Sequence, residues 1–406
     1  MNDVSRQIGV IAKNNSEIGR ISRWATHWLV GALFFAQLAS GEEHHINLAA
    51  VYTGDVWRNT TGGIQTGTRY LSNIDLQLEA PLAGGTLFLY GLHTNHSVLS
   101  EDLVGDVQVV SNIDSTHVFR MYEAWYYHEL GTEASTIKAG LIDLNSEFDA
   151  IEPAGLFINS SHGIGPDFSQ TGENGPSIFP STSLGIEVEI IPDDLWHLRL
   201  AIFDAVPNDP EDPNSEKISL REGALFLGEV NYLPKPGMRL AAGAWSYTSG
   251  FETIDNPDIH EHGNWGAYTF ISSNLYTADD GTGLTGWFRF GYADHTDINM
   301  LKYYLGAGTV YTGLFAARPD DQLGLALGTA FIGDTAKQVA RLAGEPVQNA
   351  ELNIELTYRA QVTNWLAIQP DIQYVIHPGI IGGLDNALVI GLRFELGASY
   401  ELDANY

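Results

Sequence analysis

The chain alternates apolar and polar residues with a period of two over most of its length, and no other feature limits its fold as tightly. In 184–190, Leu184, Ile186, Val188 and Ile190 alternate with Gly185, Glu187 and Glu189. In 352–359, Leu352, Ile354, Leu356 and Tyr358 alternate with Asn353, Glu355, Thr357 and Arg359. Successive side chains of a strand point to opposite faces, so each block has one apolar and one polar face. Sixteen such blocks can be placed, near 46–57, 68–80, 85–97, 116–129, 135–145, 181–191, 194–205, 222–232, 237–250, 263–276, 282–294, 301–312, 321–332, 348–360, 364–377 and 386–396. The block 116–129 alternates poorly, and 301–312 is rich in Gly.

The connections alternate between short and long. Pro81–Gly85, Gly131–Ala134, Pro192–Asp194, Leu233–Gly237 and Thr363–Asn364 read as turns. The long ones are 58–67, 98–115, 146–180, 206–221, 251–262, 295–300, 333–347 and 378–385. An even number of antiparallel strands with short turns at one end and long loops at the other is the pattern of an outer-membrane β-barrel. The expected fold is therefore all-β: a transmembrane antiparallel barrel of about 16 strands, with short periplasmic turns and long extracellular loops. Closure is a physical need, because a free sheet edge in hydrocarbon leaves backbone groups unsatisfied. A soluble sandwich or propeller also alternates, but its strands average about five or six residues and need no regular succession of turn lengths.

Composition narrows the remaining choices. Fifty acidic residues against 20 Lys and Arg give a formal charge of −30, which excludes general affinity for nucleic acid. The absence of cysteine excludes disulfides, thiolate metal sites and cysteine nucleophiles. At the amino terminus, Lys13, Arg20 and Arg23 precede the apolar run Trp28–Ala36, with small residues at Ala39-Ser40-Gly41. That order reads as a cleaved secretory signal over 1–41, followed by a barrel over 42–396 and a short tail over 397–406. Without the signal, 48 acidic and 16 basic residues leave a charge of −32.

Catalytic patterns are poor. There is no Gly-x-Ser-x-Gly, no His-Glu-x-x-His and no Walker-type loop. His44-His45 and His260-Glu261-His262 read as solvated residues rather than metal sites, and Asp209–Pro213 as a surface loop rather than a calcium site. Glu187 and Glu189 share only composition with a glycosidase carboxylate pair and read as a wet wall. No cofactor, metal or enzyme activity is expected.

The loop 146–180 follows the fifth strand, where sixteen-stranded porins commonly fold a loop into the barrel. Its constriction candidates are Asp149, Glu152, Asn159, His162, Asp167 and Phe168. Around it the sequence resembles the carbohydrate-selective porins of the OprB family. The resemblance rests on Ala154–Phe168, Ser177–Gly185, Glu355–Arg359, Trp365–Tyr374, His377–Gly379 and Ala387–Phe394. It implies a sixteen-stranded barrel in the outer membrane of a Gram-negative-type bacterium. It also implies passive diffusion of sugars such as glucose, with charged and aromatic side chains along a narrow channel. Sugars and outer-membrane lipid are the implied partners, with a homo-oligomer as one arrangement.

Strand facing, not the resemblance, selects the pore-lining candidates. They are Asp75, Glu79, Arg120, Glu187, Glu189, Arg199, Trp287, Arg289, Glu355, Arg359, Asp371 and Arg393. Opposed basic and acidic walls offer donors and acceptors to hydroxyl groups without strong net attraction for ions. Trp287 shares the parity of Arg289 and is the favoured aromatic stacking residue. Arg120 and Trp125 have opposite parities, so a regular strand cannot turn both inward, and the reading favours Arg120. Two other functions stay open on sequence alone: a general diffusion porin for small neutral or cationic solutes, and a secreted soluble β lectin or glycoside hydrolase.

Overall fold

The computed structural model describes residues 45–95, 97–131, 135–209, 221–278 and 281–403, so the signal segment 1–41 lies outside the described residues. Sixteen antiparallel strands close into a barrel in sequence order, with β1 (His45–Gly63) against β16 (Asp385–Asp403). Between them run β2 (Gly67–Leu82), β3 (Gly85–Thr94), β4 (Val118–Glu129), β5 (Ser135–Ile142), β6 (Ser183–Asp193) and β7 (Trp196–Asp204). The ring continues with β8 (Ala224–Lys235), β9 (Met238–Glu252), β10 (His260–Thr277), β11 (Gly283–Ala293), β12 (Leu301–Thr312), β13 (Gln322–Ile332), β14 (Ala350–Thr363) and β15 (Leu366–Ile376).

The two-residue period decides the facing. Leu76, Ile186, Leu200, Leu325, Leu356, Ile372 and Leu392 are exposed on the outside, while Asp75, Glu187, Arg199, Ala326, Glu355, Asp371 and Arg393 are buried inside. Among the described residues, no helix is long and apolar enough to cross a membrane; the strands form the apolar outer band.

Four elements depart from the expected outline. β1 and β2 reach to Gly63 and from Gly67, so most of the expected loop 58–67 is strand. β16 runs through Asp403, so residues 397–403 of the expected tail pair with β1 as far as His45↔Asp403. Helix α1 (Asp334–Leu342) occupies the β13–β14 connection, which the two-residue period could not show.

The fourth strand corrects the parity argument. The β3–β4 register slips between Tyr90↔Glu123 and Gly91↔Met121, placing a bulge at Tyr122. A bulge adds one residue on one strand and resets the alternation beyond it. Arg120, Tyr122, Glu123 and Trp125 are therefore all buried on the inner side. The choice of Arg120 over Trp125 assumed a regular strand, and the bulge removes the need for it.

Candidate functional site

Two loops from the long-loop end fold into the barrel. L2 spans 95–117 between β3 and β4, and L3 spans 143–182 between β5 and β6. They hold each other through Asn112 N–H to Ile158 O at 2.8 Å and Ser160 N–H to Val109 O at 2.9 Å.

L3 is seated on the inner faces of β8–β15. Arg289 on β11 donates to Asp149 at 2.5 Å and to Asp167 at 2.7 Å. Glu355 on β14 accepts the backbone N–H groups of Ile158 at 2.6 Å and Asn159 at 3.1 Å. Glu229 on β8 accepts the N–H of Asp149 at 2.9 Å, and Arg239 on β9 donates to Ala150 O at 2.8 Å. Asn159 also donates to Gln373 at 3.1 Å. A buried ion pair with good geometry and satisfied neighbours is costly to break, because one removed partner leaves the other charged and dry.

The bed for this loop is written in glycine and alanine. Gly306, Gly308, Gly324 and Gly328 face inward on β12 and β13 beside Ala326 and Ala330. A Cβ at Gly324 would stand 2.8 Å from Leu156 and Phe157, and one at Gly308 would stand 2.7 Å from the Trp287 ring. Gly306 and Gly308 of the Gly-rich block thus make room for the Trp287 ring under the loop, and Gly324 and Gly328 make room for the loop itself.

L2 is fastened on the neighbouring arc. Glu351 on β14 accepts the N–H groups of Val107 at 2.9 Å and Gln108 at 3.0 Å, together with Gly379 N–H at 2.8 Å. Arg393 on β16 pairs with Asp55 at 2.8 Å and donates to Asn112 at 2.8 Å. Ser111 donates to Asp55 at 2.8 Å, and Gln373 donates to Val110 O at 2.8 Å.

All twelve strand candidates project inward, but they divide into two groups. Asp75, Arg289, Glu355 and Asp371 are 1% exposed or less, held by loop or strand partners. Arg120 (6%), Glu187 (6%) and Arg199 (8%) retain contact with solvent, as do Glu123 (7%), Trp125 (8%) and Lys138 (8%), which the sequence reading did not select. Glu79 and Glu189 are half-buried, and Arg359 pairs with Glu395 at 2.9 Å. Trp287 lies under L3, edge-on to Phe157 and His162 at ring distances of 6.2 and 5.5 Å, with its indole N–H buried.

Among the loop candidates, Asp149 and Asp167 form the Arg289 clamp. Phe168 stacks on Trp245 at 5.1 Å with planes 7° apart. His162 is buried within L3, 3.6 Å from a Glu355 oxygen, which is beyond hydrogen-bond range. Burial drives its imidazole pKa down to about 3, so the ring is neutral. Glu152 is half-buried in the turn Glu152–Leu156.

Away from L3's seat, β3–β7 carry a polar and aromatic strip. Phe88 stacks on Trp125 at 4.6 Å, and Lys138 Nζ lies 5.2 Å above the Trp125 ring. Lys138 pairs with Glu187 at 3.1 Å and Glu147 at 3.2 Å, and Arg199 pairs with Glu189 at 2.9 Å and Glu147 at 3.3 Å. Glu147 thus brings L3's leading edge onto this wall.

The family model for the carbohydrate-selective porin, OprB family, matches residues 68–397. The chain belongs to that family. Porin B of Pseudomonas aeruginosa is 24% identical over 400 residues, covering 85% of this chain and 86% of that protein. The high-pH structure of Pseudomonas putida OprB superposes with a TM-score of 0.79 at 22% identity, covering 94% of this chain and all of the other. The outer-membrane channel DcaP of Acinetobacter baumannii shares the fold at a TM-score of 0.54 and 11% identity, covering 88% of this chain and 99% of the other. The porin is a carbohydrate channel of the Gram-negative outer membrane and not an enzyme.

Proposed function

We propose that sugars diffuse through the barrel along the β2–β7 wall, between that wall and the mass of L2 and L3. The observation that carries this is the unequal exposure of inward charges. Arg289 on β11 and Glu351 and Glu355 on β14 are closed off by the loops, whereas Arg120, Glu123, Lys138, Glu187 and Arg199 keep contact with water. Permeation needs contacts weak enough to release the solute, and a strip of paired charges supplies donors and acceptors without a deep electrostatic well. Phe88, Trp125 and Tyr127 add ring faces for pyranose C–H surfaces.

On this reading Trp125, not Trp287, is the principal stacking residue, because Trp287 is covered by Phe157 and His162. Glu79 lies on β2 at one end of this wall, where Gln77 also keeps slight exposure, while Arg359 on β14 and Arg393 on β16, with the slightly exposed Glu395, belong to the neighbouring arc beyond β1. The test is ion current through single barrels in a planar bilayer during sugar titration. Sugar block that weakens on Trp125→Ala and survives Trp287→Ala supports the route. The reverse pattern moves the path to the β11 side.

A further inference from the structure

We propose that His93 and His117 form a surface site for a divalent transition metal of the zinc class, at the stems from which L2 leaves the barrel. Thr94 on β3 pairs directly with Val118 on β4. His93 precedes the first and His117 precedes the second, so a local two-fold axis normal to the sheet exchanges the two histidines. Thr94 and Val118 are buried on the inner side, which turns both histidines outward. His117 is exposed and His93 is half-buried.

The hydrogen bonds repeat that symmetry. His93 Nδ1 lies 3.1 Å from Val118 O, and His117 Nδ1 lies 2.8 Å from Thr94 O. A carbonyl only accepts, so each Nδ1 carries the proton and each neutral ring keeps a lone pair on Nε2. An imidazole held through one nitrogen by a backbone carbonyl, with the other nitrogen open, is the usual arrangement around a bound metal.

The spacing agrees. The ring centroids are 5.2 Å apart with planes at 85°. With Zn–N near 2.0–2.1 Å and a tetrahedral angle, two imidazole centres on one metal are about 5 Å apart. Water completes the remaining positions. A bound metal would join the two ends of L2 across its neck.

The test uses the full-length porin in detergent and Zn2+ alone, followed by isothermal titration at neutral pH. Asn replaces each histidine, since its amide can still donate to the carbonyl while offering no lone pair at the Nε2 position. Barrel circular dichroism confirms that His93→Asn, His117→Asn and the double variant are folded. The expected result is a binding event in the parent, weakened at least about tenfold in each single variant and absent from the double variant. Cu2+ as a second probe should show two-nitrogen coupling in its paramagnetic spectrum in the parent and one-nitrogen coupling in each single variant. A parent isotherm matching that of the double variant overturns the proposal, whether both bind through other histidines or neither binds.

Discussion

The Arg289 guanidinium lies 2.7 Å from the Asp167 carboxylate, and both side chains are closed to solvent. The same cation takes Asp149 at 2.5 Å, so one residue of β11 ties two points of L3 that are far apart in the loop. Gly165 and Gly291 make room for this clamp: a Cβ at either would stand 2.0 Å from Arg289 Nη1 or Asp167 Oδ2 respectively.

Arg289→Met should free L3 from the β11 side. Two buried carboxylates would lose their cation, at a cost of about 3–5 kcal/mol to the docked loop. Single-barrel conductance is expected to rise about twofold or more and sugar block to weaken, both read in planar bilayers. Arg289→Lys should recover only part of the closure, because an ammonium cannot serve two carboxylates with a planar fork. Unchanged conductance in the Met variant would show that L3 stays docked without the clamp.

Gly324→Leu tests the glycine bed by bulk instead of charge. The new side chain would enter space held by Leu156 and Phe157, so the loop must lift or the strand must shift. Overpacking of this kind costs about 1–3 kcal/mol. Limited proteolysis after a residue of 150–160 is expected to become faster, with the barrel's β-sheet circular dichroism retained.

Lys138 tests the proposed route by its charge. It stands between Glu147 and Glu187, and its removal leaves two acids facing the strip. Lys138→Met should raise the preference for cations over anions in reversal-potential measurements under a salt gradient. The shift should shrink at high ionic strength as the charges are screened. A preference that does not move would place ion flow away from β5.

The barrel was legible because closure against lipid leaves a physical trace in every strand: Leu352, Ile354 and Leu356 outside, Asn353, Glu355 and Thr357 inside. That parity also turned all twelve candidate wall residues inward. Parity could not tell which wall residues meet water and which meet a folded loop. Glu355 and Glu187 look alike in alternation, yet one binds the N–H groups of Ile158 and Asn159 while the other keeps solvent contact. Trp125 was lost to a single inserted residue at Tyr122, for which the sequence carries no turn or glycine signal. Inward folding of L3 was anticipated from its place after the fifth strand. The partnership of L2 depends on Asn112 meeting Ile158 and Ser160 meeting Val109 across the lumen, which is long-range information.

Acidification should strengthen the docking of L2 and pull L3 two ways, because burial raises Asp149 in L3 from 3.8 to about 6 and so opposes the effect of His162. His162 in L3 has its pKa lowered from an ordinary 6.5 to about 3 by burial. The undocked loop therefore binds a proton between those values while the docked loop does not. Its contribution is present above pH 6.5 and is lost as pH falls through that window, by about 2 kcal/mol at pH 5. In L2, burial raises Asp106 from 3.8 to about 7 and Asp114 to about 6. Here the docked state binds the proton more tightly, so docking strengthens as pH falls from about 7 towards 4. Hydrogen exchange compared at pH 7.5 and pH 5, corrected for intrinsic rates, should show gained protection around Leu99–Gly105 and lost protection around Ile158–Ile164. Protection gained in both segments would mean that Asp149 and the contacts at Asn112 and Ser160 outweigh the titration of His162.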